Sequence, residues 1–147
     1  MTVITVLRHF GSKDALFATV AREQTARPWR PLEAASPTPG GEAALSAVLA
    51  HFERYGGMIL RLLREAERSP AIARAVASGR AAHAAWVDQT FGAALSRWPP
   101  GERRLRQAGL LAATHVQTWW LLRREQRLGR ARARAVVERL VRAQLSG

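Results

Sequence analysis

The chain has 147 residues, no cysteine and a formal net charge of +12, and nearly half of its residues are apolar. This length suits one domain, or a fragment attached to one, with a core that buries roughly two-thirds of the surface of the unfolded chain. The composition excludes disulfide scaffolds, thiolate zinc sites and cysteine nucleophiles, and no apolar run approaches the ~20 residues of a transmembrane helix. We expect a soluble, cytoplasmic protein with no membrane partner, because no basic and apolar leader precedes a cleavage site.

The positive charge is concentrated in residues 101–147 and is almost entirely arginine, since Lys13 is the only lysine. Arginine pairs with carboxylates and phosphates, and its aliphatic stem covers apolar surface. We interpret the C-terminal arginines as a solvated helix face. The alternative is that residues 123–142 bind RNA or membranes directly, which predicts polyanion binding that ignores sequence and falls steeply with salt.

The first forty residues predict two short helices and a linker. A first element spans residues 2–10, and Ser12 is a suitable N-cap for a second helix that ends near residue 26. Residues 27–41 are rich in proline and glycine, which is typical of a linker. No segment in the chain alternates apolar and polar residues as a half-buried strand does, so the sequence predicts an all-α fold.

Residues 42–147 predict a longer series of helices. A third helix begins near Glu42, and Gly56-Gly57 should break or kink it. Ser69-Pro70 is an N-cap followed by proline at the first helical position, which predicts a long helix that ends near Trp98. Its predicted apolar stripe is Ile72, Val76, Gly79, His83, Trp86, Val87, Thr90 and Ala94. After Pro99-Pro100-Gly101, one long helix should run from about 102 to 126, and a last helix from about 131 to 145.

The penultimate helix carries apolar residues on two faces, and both faces must be covered. One face can pack on its own domain, whereas the other needs a partner. The last helix adds further apolar residues, so the pair predicts a homodimer that forms through a four-helix bundle. The predicted interface residues are Leu111, His115, Thr118, Trp119, Leu122, Val136, Val137 and Leu140.

The segment Thr5–Phe17, with the sequence TVLRHFGSKDALF, resembles the signature of the TetR (tetracycline-repressor-like) family of transcription regulators. In that family, the end of the recognition helix leads through a short turn into a helix that joins the DNA-binding and ligand-binding domains. Thr118–Arg124 and the following Leu128-Gly129-Arg130 resemble the dimerisation helices of one branch of the family. The resemblance implies a ligand-responsive DNA-binding regulator, usually a repressor, that binds double-stranded operator DNA as a homodimer.

The same resemblance implies three parts of the chain. Residues 1–26 correspond to the C-terminal part of a helix-turn-helix domain, residues 27–41 to a linker, and residues 42–147 to a ligand-binding and dimerisation domain. In the DNA-binding part, the resemblance implies that Thr2 caps the recognition helix and that Val3, Ile4 and Thr5 face base edges. Arg8, His9 and Lys13 are expected to lie near phosphates.

The chain departs from the family pattern at its start. The family places about two further helices before the recognition helix, so we expect an N-terminally truncated sequence in which Met1 is not the natural start. Leu7 also stands where the family usually has a tyrosine that bonds a DNA phosphate. The alternative function is therefore a DNA-free helical dimer that binds a small molecule or forms mixed dimers with a full-length regulator.

The resemblance further implies a pocket among the middle helices for a small apolar or aromatic effector. The candidate lining residues are Phe52, Tyr55, Ile59, Leu62, His83, Trp86, Thr90 and Trp119. His83 beside Trp86 is the best polar anchor, although ordinary core packing explains each residue as well. The four histidines lie on different predicted helices, so we expect no metal site, and no pattern indicates catalysis or a cofactor.

Overall fold

The computed structural model describes residues 41–147 and, before them, Ala15, Leu16, Thr19 and Val20. These four residues are helical, as predicted, and the hydroxyl of Thr19 donates a hydrogen bond to the carbonyl of Ala15 (3.0 Å). Within the described residues there are helices and no strand, which confirms the all-α prediction for that part of the chain. All of the predicted DNA contacts, and residues 27–40 of the predicted linker, lie outside the described residues.

Helix α1 spans Glu42–Glu65, so its predicted start is confirmed and the predicted interruption at Gly56-Gly57 is wrong. The two glycines instead allow an aromatic ring to approach the helix backbone. A Cβ added to Gly57 would lie 3.3 Å from the indole of Trp120, and one added to Gly56 would lie 3.6 Å from it. Gly41, just before the helix, has a φ of 66°, a conformation that favours glycine.

Helix α2 spans Pro70–Leu95, and its predicted start is confirmed. The hydroxyl of Ser69 accepts a hydrogen bond from the backbone N–H of Ile72 (3.4 Å), as an N-cap should. The apolar stripe was predicted less well at its C-terminal end. Ala94 is exposed, and Phe91 and Leu95 are the residues that reach the core.

The predicted single helix over 102–126 is wrong, because the chain breaks in the middle of that range. Helix α3 spans Pro100–Ala113, helix α4 spans Val116–Trp120, and a π-helical turn follows at Leu121–Glu125. At the break, the hydroxyl of Thr114 donates to the carbonyl of Leu110 (2.8 Å). His115 has an extended backbone, and its Nδ1 accepts from the N–H of Gln117 (3.3 Å). Polar side chains that bond the backbone locally compete with helix continuation.

Helix α5 spans Arg130–Leu145 and packs along α3. The main core lies between the five helices described after residue 41. Its buried residues include Leu45, Val48, Leu49, Phe52, Ile59, Trp86, Val87, Phe91, Leu95, Leu110, Val116, Trp119, Val137 and Val141. None of the described helices combines the length and apolar character that crossing a membrane requires.

Arg106 of α3 holds the C-terminal end of α5. Its Nη1 donates to the carbonyls of Gln144 and Ser146, both at 2.7 Å. Its Nε donates to Glu102 (2.7 Å), and its guanidinium lies 3.7 Å from the ring centroid of Trp98. One arginine of α3 therefore contacts the turn that follows α2 and the C-terminal end of α5.

Candidate ligand-binding site

A small cavity lies where α1 and α2 meet the break between α3 and α4; we call it the His83–His115 cavity. Its volume is about 60 Å³, the space of about two water molecules at roughly 30 Å³ each. Sites for drug-sized ligands usually occupy about 300–1,000 Å³, so only a small group fits without movement of the walls. The lining residues are Phe52, Ile59, Leu62, Leu63, Val76, Gly79, Arg80, His83, His115 and Val116.

His83 is the buried polar group of this cavity. Its Nε2 lies 2.8 Å from the hydroxyl oxygen of Thr114, which already gives its own proton to the carbonyl of Leu110. The hydrogen-bond network therefore assigns a proton to Nε2, because the threonine oxygen can only accept from it. Burial, and then the neighbouring His115, lower the pKa of His83 from 6.5 to about 4, so the imidazole is neutral at pH 7.

His115 faces His83 across the cavity, with 6.0 Å between the ring centroids. Since its Nδ1 accepts the bond from Gln117, the neutral ring carries its proton on Nε2. Burial, and then the positive charge of Arg80, lower the pKa of His115 from its ordinary value. The cavity thus combines apolar walls with two neutral imidazoles and one guanidinium.

The structure brings together half of the predicted pocket residues. Phe52, Ile59, Leu62 and His83 line the cavity. The other four, Tyr55, Trp86, Thr90 and Trp119, do not line it.

Trp86 lies three residues after His83 in the sequence, yet it does not line the cavity. Its ring centroid is 6.0 Å from that of His83, but its side chain is only 1% exposed and packs edge-on against Phe91 at 5.8 Å. The indole is therefore part of the core. His83 and Trp86 are about one helical turn apart, but His83 lines the cavity and Trp86 lies in the core behind it.

Sequence reasoning missed Arg80 and assigned His115 to a different surface. His115 was placed on the dimer face because a continuous helix was assumed there. Arg80 precedes His83 by three residues, so it shares a helix face with His83. That spacing was a usable signal for Arg80, whereas no spacing rule predicts the break that turns His115 toward the cavity.

A second, wider groove of about 670 Å³ lies at the surface between α1, α4 and α5. Glu53 is its central charged residue and binds three donors from other elements. Its carboxylate accepts from Arg123 (2.6 and 2.9 Å), from the indole N–H of Trp119 (3.1 Å) and from Arg130 (3.1 Å). Arg123, and then the weaker contacts, lower the pKa of Glu53 from 4.5 to about 2 against the opposing effect of burial. Because these donors already satisfy Glu53, we interpret the groove as a structural junction.

The predicted dimer residues divide into covered and accessible ones. Trp119, Leu122 and Val137 are buried by their own chain, which leaves them little area for a partner. Leu140 is 42% exposed, and Leu111, His115, Thr118 and Val136 are half-buried. Two further apolar side chains are accessible in this region: Leu105 on α3 is 69% exposed, and Leu121 is 42% exposed.

Comparisons of the chain with protein-family models, with curated proteins and with solved structures found no match. Within the part of the chain that the structure describes, no three histidine, aspartate or glutamate side chains lie close enough to hold a metal ion. The functional interpretation therefore depends on the residues of the His83–His115 cavity and on the sequence pattern.

Proposed function

We propose that this chain is a ligand-responsive DNA-binding transcription regulator of the TetR type, acting as a repressor, whose effector binds in the His83–His115 cavity. The observation that supports this proposal is the position of the cavity in an all-helical domain. One of its walls, His115, is also the residue that caps helix α4 at the break after α3. A ligand in the cavity would therefore contact the point at which two helices are joined.

In this proposal, occupation of the cavity is coupled to the geometry of the α3–α4 break through two hydrogen bonds, of 2.8 and 3.3 Å. His83 on α2 donates to Thr114, the residue that ends α3, and His115 accepts from the first turn of α4. A ligand that displaces either imidazole must change one of these bonds. Since the cavity is smaller than most effectors, binding favours a state in which the walls have moved apart.

Movement of α3 would reach the proposed dimer surface directly. Leu105 and Leu111 lie on α3, and Leu140 lies on α5, which packs along it. In a two-fold dimer, a shift of these helices changes the distance between the two recognition helices, which must match half-sites ~34–36 Å apart. The effector acts allosterically only if it binds one spacing more tightly than the other.

The second candidate is the DNA-free helical dimer, which binds a small molecule or forms mixed dimers with a full-length regulator. Leu7 favours it, because leucine cannot donate a hydrogen bond to a DNA phosphate as the usual tyrosine of the family does. This candidate keeps the cavity and the dimer surface and removes only the contact with operator DNA.

A DNA-binding experiment separates these candidates. The protein, expressed from its whole reading frame with any codons in frame upstream of Met1, is used to select duplexes from a random pool. A gel shift at several salt concentrations then compares the wild type with Arg8→Ala and with the control Arg132→Ala. Arg132 is exposed on α5, and the structure gives it no ion pair within the described residues.

For the proposed regulator, we expect a selected sequence that competes much better than random DNA. Arg8→Ala should weaken binding and reduce the slope of log K against log salt by about 0.9, the value for one phosphate contact. Arg132→Ala should change neither quantity. Equal binding of random DNA, with a loss on Arg132→Ala, would instead support the polyanion-binding interpretation, and a dimer that selects no DNA would support the DNA-free candidate.

A further inference from the structure

The His83–His115 cavity has the positively charged guanidinium of Arg80 at its wall, and no acidic residue in the described part of the chain pairs with it. Arg80 is exposed on α2, and within the described residues no carboxylate lies within ion-pair distance of it. Its charge nevertheless reaches the cavity, since it lowers the pKa of His115. A cationic ligand would be repelled at this position, whereas an anionic ligand would find a guanidinium that no described acidic residue neutralises.

His115 adds a hydrogen-bond donor that, like Arg80, favours an anionic ligand. The proton of His83 is occupied by Thr114, but His115 carries its proton on Nε2, and the structure shows no described acceptor for that proton. Because both rings are neutral at pH 7, His115 offers an N–H without adding a further charge. An anionic oxygen near Arg80 would therefore have a guanidinium and an imidazole N–H available.

The remaining walls are apolar, and their size limits the rest of the ligand. Ile59, Leu62, Leu63 and Val76 surround the cavity together with Phe52. The volume of about 60 Å³ admits only a few carbon atoms before side chains must move. The site therefore suits a short apolar tail that ends in an acidic group.

We propose that the His83–His115 cavity binds small carboxylic acids, with the carboxylate at Arg80 and the Nε2–H of His115 and the apolar tail among the α1 side chains. This inference names the ligand class of the site and rests on the proposed function only for the biological use of that ligand. Planar guanidinium groups bind carboxylates through two parallel hydrogen bonds, and this geometry separates an acid from a neutral molecule of the same shape.

Tail length provides a second expectation. Each methylene that leaves water contributes about a fourfold increase in affinity. Along the series acetate, butyrate, hexanoate and octanoate, affinity should increase while the added carbons still enter the cavity. It should level off once the tail exceeds the available space.

The test measures binding of hexanoate and of the neutral 1-hexanol to the whole chain by calorimetry, without DNA. The imidazole NMR signals of His83 and His115 report where the ligand binds. The variant is Arg80→Gln, and the control is Arg74→Gln, an exposed arginine on the same helix that does not line the cavity. Arg80 and Arg74 are both exposed, so circular dichroism should show the same helix content in both variants.

We expect hexanoate to bind the wild type at least tenfold more tightly than 1-hexanol, and to shift the His115 signal. Arg80→Gln should remove this preference and leave the binding of 1-hexanol unchanged, while Arg74→Gln should behave as the wild type. The inference is overturned if hexanoate and 1-hexanol bind equally, if the two variants behave alike, or if neither butyrate nor hexanoate binds at millimolar concentration. Since DNA is absent from this assay, its outcome is independent of the DNA-binding test.

Discussion

Replacement of Glu53 by glutamine should destabilise the protein, and the loss should depend on pH. The carboxylate joins α1 to Trp119 of α4, to Arg123 of the π-helical turn and to Arg130 at the start of α5. In Glu53→Gln, one carbonyl oxygen can still accept, but the charge is lost and an amide N–H₂ faces the arginines. The variant therefore disturbs one junction between four elements and leaves the apolar core intact.

The size of the effect follows from the pKa of Glu53. A decrease from 4.5 to about 2 corresponds to at most about 3 kcal/mol of stability at neutral pH, at 1.36 kcal/mol per pKa unit. The side chain is 18% exposed, and water screens part of this interaction. We therefore expect Glu53→Gln to lower the free energy of unfolding at pH 7 by about 2 kcal/mol.

The sign of the pH dependence is fixed by the direction of the pKa change. Because the folded protein holds the carboxylate ionised more strongly than the unfolded chain does, the stabilisation is complete above pH 4.5. It is lost as the pH falls from 4.5 toward 2. The difference between the wild type and Glu53→Gln should therefore be constant from pH 7 to about pH 5 and should shrink at lower pH.

Urea unfolding followed by tryptophan fluorescence at pH 7, 5, 4 and 3 measures this difference, with the protein concentration held fixed. Glu138→Gln is the matched control, since Glu138 forms a surface i,i+4 pair with Arg134 that contributes about 0.5 kcal/mol or less. The reasoning is refuted if Glu53→Gln costs no more than this control at pH 7, or if its cost is the same at pH 3 as at pH 7.

Three further predictions concern other parts of the structure. Gly41→Ala should lower the melting temperature and destabilise the fold by about 2 kcal/mol, because φ is positive there and the new Cβ would lie 2.7 and 2.9 Å from two α2 side chains. Gly92→Ala is the control and should stabilise the fold by about 1 kcal/mol, since a Cβ there would have nothing within 4 Å. Equal effects of the two substitutions would contradict this account. The pKa of His83 is about 4 in the folded protein, so below pH 6.5 the unfolded chain binds the proton first, and the free energy of unfolding should fall by up to about 3 kcal/mol between pH 6.5 and 4. Denaturant unfolding should show a smaller fall for His83→Gln. Leu140→Glu should convert a dimer to a monomer in sedimentation velocity at micromolar concentration, whereas the control Ala47→Glu on α1 should stay dimeric. A monomeric wild type would rule out the proposed interface.

The sequence predicted helices best where local chemistry alone decides. Ser69-Pro70 is followed by a helix in the structure because a hydroxyl cap and a preset φ act within one turn. The beginning of α1 at Glu42 follows from the glycines and prolines before it. These signals need no information about the tertiary structure.

The failures have a common origin in contacts distant along the chain. Gly56-Gly57 read locally as a break, but in the fold the indole of Trp120 covers both glycines. The sequence predicted Thr114 inside a continuous helix, yet its hydroxyl oxygen accepts a hydrogen bond from His83, which is 31 residues away. Half of the predicted pocket was found because those side chains share faces of two helices. His115 was assigned to the dimer surface because its place at the cavity depends on the α3–α4 break. Arg80 was missed, although its three-residue spacing from His83 was a usable signal.

Arg106 makes the end of α5 resist fraying. Terminal helical turns usually open at a free energy near zero, and their amide hydrogens exchange first. Opening the last turn of α5 must also break the charge-assisted bonds from Arg106 to the carbonyls of Gln144 and Ser146, and the bond from Arg97 to that of Leu145. The amides of this turn should therefore exchange deuterium more slowly than those in the last turn of α1, for which the structure shows no side-chain donor from another helix within the described residues. The last turn of α5 should therefore exchange as part of the packed domain and not as a fraying terminus.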